Sequence, residues 1–377
     1  MSTTTAIPVR TRAPFRADHV GSLLRPHRLR EARAQRVLGE IPADALREIE
    51  NACIIETIKK QESIGLRAAS DGEYRRAYWH YDFISKLDGV ELVTPKQDVH
   101  FSGGTLLPKS LEVHGKVGYS HPIMVDDYKF VASHVTTAVA KQTIPSPSVL
   151  HFRGGRQAID RAIYPELDGF FTDLGNAYQG AVTAFADAGC KYLQLDEVNI
   201  AYLCDPAQIE GLKARGEHVE GLLGEYGRMI NTAIDGRPSD MVVTMHLCRG
   251  NFKSTWFAAG GYEPVADVLF NEINVDAYFM EYDTERAGGF EPLRLLPKGP
   301  KMVVLGIMTS KTGELESEDF LKRRIEEAAK YAPLEQLAIS PQCGFASTEE
   351  GNLLSEDQQW KKLERLVKVA QDVWGSV

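Results

Sequence analysis

No run of 18 consecutive apolar residues occurs anywhere in the 377-residue chain, so nothing in it reads as a transmembrane helix. The opening stretch, Met1 to Pro14, is small, polar and basic and lacks the apolar run of a secretory signal. It points to a cytoplasmic protein with a flexible N-terminal arm over residues 1–14. A basic stripe is missing too. Lys and Arg number 43 against 52 Asp and Glu, spread along the whole length with a net charge of −9, which excludes nucleic acid as an expected partner. Cysteine is scarce and odd in number: Cys53, Cys190, Cys204, Cys248 and Cys343 have the scattered spacing of reduced thiols, a subset of which can serve a metal, rather than of a disulfide framework. Repeats, low-complexity tracts and linkers are also wanting, so residues 15–377 are expected to fold as one domain.

What is present is a recurrence of short apolar runs, each followed by a polar turn and a longer stretch of helical periodicity. The runs are Phe15 to His19, Leu66 to Ser70, Gln142 to Ser146, Tyr192 to Leu195, Met241 to His246, Ala277 to Met280, Met302 to Ile307 and Leu337 to Ser340. Amphipathic helices are expected at Ala43 to Ile64, Phe171 to Ala188, Pro206 to Ile234, Glu318 to Ala332 and Asp357 to Trp374. Eight such units predict an α/β fold, the TIM (β/α)8 barrel, whose chemistry gathers at the C-terminal ends of its strands. Val90 to Ser120, with its period-2 alternation, breaks the rhythm and predicts a β-hairpin inserted after the second strand.

Polar residues collect where the predicted strands end. Strand 5 runs into His246-Leu247-Cys248, and in extended chain His-x-Cys turns both side chains to one face. Strand 6 closes on Glu281, and strand 8 on Cys343 between Pro341 and Gly344. Each residue alone is ordinary: a buried His, a structural Cys, a capping Glu. Together they supply the nitrogen, sulfur and oxygen donors of a tetrahedral zinc site, which deprotonates a thiol at neutral pH while leaving its sulfur nucleophilic. Strand 4 ends in Asp196-Glu197 and strand 2 in Asp71-Gly72-Glu73, so that a Glu and an Asp from different strands can grip one ammonium group. After strand 1, the Gly21-Ser22 turn offers backbone N–H groups to a carboxylate or sulfonate.

As an ordered set, His19-Val20-Gly21-Ser22-Leu23-Leu24-Arg25-Pro26, Ser70-Asp71-Gly72-Glu73, Gln194-Leu195-Asp196-Glu197, His246-Leu247-Cys248 and Cys343-Gly344 resemble the catalytic barrel of cobalamin-independent methionine synthase, most closely the short single-barrel members of that superfamily. The resemblance implies His246, Cys248, Glu281 and Cys343 as ligands of Zn2+, Glu73 and Asp196 as holders of the homocysteine ammonium, and Gly21-Ser22 as the turn for its carboxylate. It implies a reaction in which a methyl group passes from a folate-type donor to homocysteine sulfur. Two features depart from the family. The full-length synthase has a second, N-terminal barrel that helps bind a polyglutamate tail, whereas these residues make up one barrel. The family also keeps a histidine just past strand 7, where this chain reads Gly306-Ile307-Met308-Thr309-Ser310-Lys311-Thr312, which makes Lys311 the catalytic candidate there.

Epoxyalkane:coenzyme M transferases are similar single barrels and open an epoxide with a zinc thiolate. Arg75, Arg76, Arg153 or Arg249 would then meet the sulfonate, and Glu73 and Asp196 would have no ammonium to hold. A non-catalytic zinc-binding regulatory barrel is the alternative of another class. The expected partners are a small thiol, an alkyl donor and a further copy of the chain in a homo-oligomer.

Overall fold

The computed structural model describes residues 9–93, 99–101, 104–106 and 109–377, with 99–101 and 104–106 described by backbone alone. Its strands are β1 (Ala68–Ala69), β2 (Asp88–Val93), β3 (Val99–Phe101), β4 (Gly104–Leu106), β5 (Ser110–Gly118), β6 (Val139–Pro145), β7 (Tyr192–Glu197), β8 (Val242–Leu247), β9 (Ala277–Glu281), β10 (Met302–Met308) and β11 (Leu337–Pro341). Among the described residues, seven of these form one curled parallel sheet in the order β1-β6-β7-β8-β9-β10-β11. Every residue of β7 to β11 is buried, as expected of parallel strands covered on both faces.

The eighth expected strand, Phe15 to His19, is reduced to a single parallel bridge between Ala17 and Ile339. The reason is local. The Asp18 carboxylate accepts from the Phe15 amide (3.3 Å) and the His19 amide (2.8 Å), which turns the backbone away from a continuous ladder. On its other side the segment meets β1 through a side chain, with His19 Nε2 3.3 Å from the Ala68 carbonyl. The TIM-like barrel therefore closes around a seam that is partly side chain.

The helix expected over Pro206 to Ile234 is two helices, Pro206–Ala214 and Leu222–Ile234. Gly216 (φ +80°) and Gly221 (φ +81°) between them take the left-handed conformation that ends one helix and enters the next. The helix Leu167–Asp187 buries Phe170, Phe171, Leu174, Tyr178, Ala181, Val182 and Phe185, one apolar stripe at helical spacing. After the first sheet strand, β2 pairs antiparallel with β5 and β3 with β4, so the inserted hairpin carries a second small ladder; residues 94–98, 102–103 and 107–108 of that insert lie outside the described residues. Of the arm over 1–14, residues 1–8 also lie outside them, while Ala13 is buried with Phe15, Tyr192, Val242, Ala277 and Met302 in the lower barrel interior. No helix of the described residues is long and apolar enough to cross a membrane.

Candidate functional site

At the C-terminal end of β8, the Cys248 amide donates to the Glu197 carbonyl (2.9 Å), extending the β7–β8 ladder by one step and keeping His246 and Cys248 on one face. Glu281 closes β9, two strand positions round the barrel from β11. Gly306 draws the ends of β9 and β11 together: a Cβ there would lie 2.7 Å from Gln342 Cα and 2.9 Å from the Met280 carbonyl. The Cys343 loop is then seated on the Gly21-Ser22 turn, since Gly344 leaves no room for a Cβ beside Ser22 Oγ and the Phe345 amide donates to the Ser22 carbonyl (3.0 Å).

The outcome is a buried quartet. One ligand-type atom from each of His246, Cys248, Glu281 and Cys343 lies within 4.8 Å of all the others. The two sulfurs are 3.4 Å apart. Cys343 is held well below the ordinary thiol range because Cys248 hydrogen-bonds to it, with His246 helping, while Cys248 is pushed up for the reciprocal reason and by burial. Neither ring nitrogen of His246 has a nitrogen or oxygen partner, and what the ring interacts with is the Cys343 sulfur. Burial alone would lower its imidazole, but the Cys343 sulfur and the Asp196 and Glu281 carboxylates outweigh that and raise it. Glu281 resists the upward push of burial through Lys311, Arg286 and His246, and accepts from the Arg249 amide (3.0 Å) and from Arg286 (3.0 Å). A buried imidazole left without nitrogen or oxygen partners, two sulfurs in contact and a carboxylate fit a divalent metal with nitrogen, sulfur and oxygen ligands.

Glu73 arrives by a strained route. Gly72 (φ +66°) and Glu73 (φ +59°) are both left-handed, the second held by the Asp71 carboxylate accepting its amide (2.8 Å). This turn aims the Glu73 carboxylate at Thr143 Oγ1, which donates to it at 2.9 Å, with Arg76 at 3.6 Å. Gly21 (φ +137°) passes against the same threonine, where a Cβ would lie 2.6 Å from Thr143 Cγ2. Asp196 accepts from Gln194 Nε2 (2.7 Å) and is raised to about 7, first by burial and then by the Glu73 charge. Burial likewise raises Glu73. The neighbouring Glu197 faces elsewhere: it accepts from Ser148 Oγ (2.6 Å) and from the Asn199 and Ile200 amides, and so organises the chain after β7.

Ser22, Glu73, Asp196, His246, Cys248 and Cys343 all line one cavity of about 100 Å³. Lys311 lines a different, larger cavity of about 1040 Å³ with Trp256, Asp283 and Arg286. Its buried Nζ has no hydrogen-bond partner, and its charge acts on Glu281 and Cys248 from behind the quartet. Of the four arginines considered for a sulfonate, only Arg153 lines the first cavity. Arg75 is bound to Glu50 and Asp127, Arg76 faces Glu73, and Arg249 is fully buried over the Tyr262 ring (4.2 Å). Sequence reasoning passed over Trp79, His80, Tyr81, Tyr202 and Asn251, which also line that cavity. The one signal for them was the aromatic run Tyr78-Trp79-His80-Tyr81 shortly after Glu73. Cys53, Cys190 and Cys204 are buried and outside the quartet.

Residues 15–372 match the family described as cobalamin-independent synthase, catalytic domain. The uncharacterized protein YxjH of Bacillus subtilis is 47% identical over 364 residues, with 96% of each chain covered. The methionine synthase of Pyrococcus furiosus is 24% identical over 352 residues, covering 93% of this chain and 88% of that one. Among solved structures, the putative vitamin-B12 independent methionine synthase of Listeria monocytogenes aligns with a TM-score of 0.79 at 42% identity, over 97% of this chain and 100% of that one. A B12-independent methionine synthase from a Shewanella species, in complex with selenomethionine, shares the fold at a TM-score of 0.70 and 19% identity over 98% of both chains. With nearly its whole length matched, the chain belongs to the cobalamin-independent methionine synthase family.

Proposed function

We propose that this protein is a zinc-dependent methyltransferase that alkylates a small amino-acid thiol, homocysteine, to give methionine. The observation that carries the reading is the shared cavity: three side chains of the metal-type quartet face the same space as the Glu73 and Asp196 carboxylates. An amino-acid thiol is the ligand whose two ends need both. The donor set of one imidazole, two sulfurs and one carboxylate suits zinc better than magnesium or calcium. Bound there, zinc would keep a thiol deprotonated at neutral pH.

The chain's own residues supply the rest. Glu73 and Asp196 hold the ammonium, and a cation between them favours the ionised form of an Asp196 that otherwise sits near 7. Ser22 lines the cavity with Gly21 next to it, and their amides, which donate to no backbone acceptor among the described residues, would meet the carboxylate. Trp79, Tyr81, Tyr202 and Phe252 wall the cavity and exclude water. Lys311 steadies Glu281 through its field from the neighbouring cavity. The Shewanella relative was solved with selenomethionine, the selenium counterpart of the proposed product. A second reading, epoxide opening by a sulfonate thiol, rests on Arg153 alone, because Arg75, Arg76 and Arg249 do not line the cavity.

A panel of thiols (homocysteine, 2-mercaptoethanesulfonate) against donors (mono- and triglutamate methyl-tetrahydrofolate, methylcobalamin, an epoxide) separates the readings. Methionine formed from homocysteine and a methyl donor is the expected result. Product only from 2-mercaptoethanesulfonate and the epoxide establishes the second reading. Zinc retained with no turnover in any combination points to a regulatory barrel.

A further inference from the structure

Two histidines stand apart from the rest. Among the described residues, only His80 and His246 bury both ring nitrogens without a nitrogen or oxygen partner for either. An unmade hydrogen bond on a buried group is costly, so each site is one that something else completes. For His246 the quartet supplies the reason. His80 belongs to no such group of ligand-type side chains. It is 3% exposed, its ring is in contact with those of Trp79 (centroids 4.6 Å apart) and Tyr81 (3.9 Å), and it lines the cavity that holds Glu73, Asp196, His246, Cys248 and Cys343. Its segment is tied to the sulfur side of that cavity: the Trp79 amide donates to the Ser347 carbonyl (3.0 Å), and Ser347 Oγ is 3.9 Å from Cys343 Sγ. Burial, then the Arg153 charge, hold the imidazole well below its usual range, so it stands neutral, with one N–H and one lone pair.

Thiol alkylation has a proton to move. The thiol arrives with one, and an amine leaving group departs needing one. Glu73 and Asp196 are taken by the ammonium in the proposed reading, His246 by the metal, and Lys311 opens onto the other cavity. We propose that His80 delivers the proton that the leaving group needs: the thiol gives its own up to solvent as it binds, and a ring nitrogen of His80 takes one from that pool and passes it to the departing amine. The sulfur lone pair forms the new S–C bond as the bond from that carbon to the leaving group breaks and its electron pair stays on the leaving group. The proton held by His80 then neutralises that pair. The sum, RSH plus R′–X giving RS–R′ plus HX, needs no other reactant. An imidazole whose protonated form is a strong acid suits this donation.

This assignment rests on the methyltransferase reading, and the experiment separates the two. His80→Gln and His80→Ala are compared with wild type for zinc content, thermal unfolding and methionine formation from homocysteine, using two donors. Monoglutamate methyl-tetrahydrofolate leaves as an amine that takes up a proton, whereas methyl iodide leaves as iodide and needs none. With zinc and folding unchanged, His80→Gln should lose roughly 100-fold in kcat with the folate donor and less than about threefold with methyl iodide. Added imidazole should restore part of the folate rate in His80→Ala. Equal losses with both donors would assign His80 to packing of the cavity wall, and an undiminished folate rate would remove it from the reaction. A wild type that forms methionine from neither donor contradicts the methyltransferase reading itself and this assignment with it.

Discussion

The two ends of the barrel interior treat buried charge in opposite ways. In the lower half, Asp18 and Lys141 form an ion pair at 3.2 Å with both side chains fully buried. Tyr192 donates to the same carboxylate (2.8 Å), and the Lys141 ammonium also meets the His19 carbonyl and lies over the Phe279 ring (4.2 Å). At the mouth, His246, His80, Asn251 Oδ1, Gln342 Nε2 and Lys311 Nζ are buried without nitrogen or oxygen partners. The charges of the lower cluster pair with one another, although His19 Nδ1 beside them has no partner, whereas the groups at the strand ends are left for a ligand to complete. The lower cluster therefore belongs to stability and the upper one to binding.

The sharpest way to break this contrast is to remove a sulfur from the mouth. Cys248→Ser and Cys343→Ser should each lose most of the bound zinc, and methionine formation with it, while the unfolding midpoint of the metal-free protein stays near that of metal-free wild type. Metal analysis beside denaturant unfolding checks this, and full zinc retention in both variants would remove the quartet from the account. In the lower cluster the effects should be reversed. Asp18→Ala leaves Lys141 buried and unpaired, which costs about 3–5 kcal/mol of stability with no change in metal content. A cost below about 1 kcal/mol would mean that water replaces the carboxylate.

A finer test separates the carboxylates from the metal. Glu73→Gln should weaken homocysteine binding by about 1.5–3 kcal/mol, leave zinc in place and spare 2-mercaptoethanesulfonate. Equal weakening of both thiols would give Glu73 a structural role through Thr143 and Arg76. The last effect is a slope. Asp196 is raised to about 7 in the folded chain, against an ordinary value of about 3.9. Between about pH 4 and 7 the folded metal-free chain thus holds a proton that the unfolded chain has released, so its stability should fall as pH rises through that window. Asp196→Asn should flatten that segment of the curve, and an unchanged slope would transfer the effect to Glu73.

What was legible in the sequence were features fixed by chain direction. His246-x-Cys248, Glu281 and Cys343 stand at strand ends because apolar runs stop there, and the barrel brings strand ends together. Features set by competition between neighbours were harder to read. The first strand dissolved because Asp18 binds its own backbone, and one long amphipathic helix became two because two glycines outweigh a continuous apolar stripe. Adjacent Asp196 and Glu197 looked equivalent, yet successive strand residues face opposite ways and only Asp196 enters the cavity. Lys311 follows β10, but which of two cavities it faces depends on the loops around it. His80 carries no motif. What marks it is the lack of a partner in three dimensions, which no spacing encodes.

The central claim is that the metal quartet and the carboxylate pair form one binding site. Calorimetric titration of homocysteine into zinc-loaded and zinc-stripped protein, with 2-mercaptoethanesulfonate as the comparison thiol, tests it most directly. The account predicts about one homocysteine bound per zinc-loaded chain, binding lost on stripping the metal and restored by adding it back, and weaker binding of the sulfonate thiol. Equal homocysteine affinity with and without zinc, or no preference between the two thiols, would contradict it.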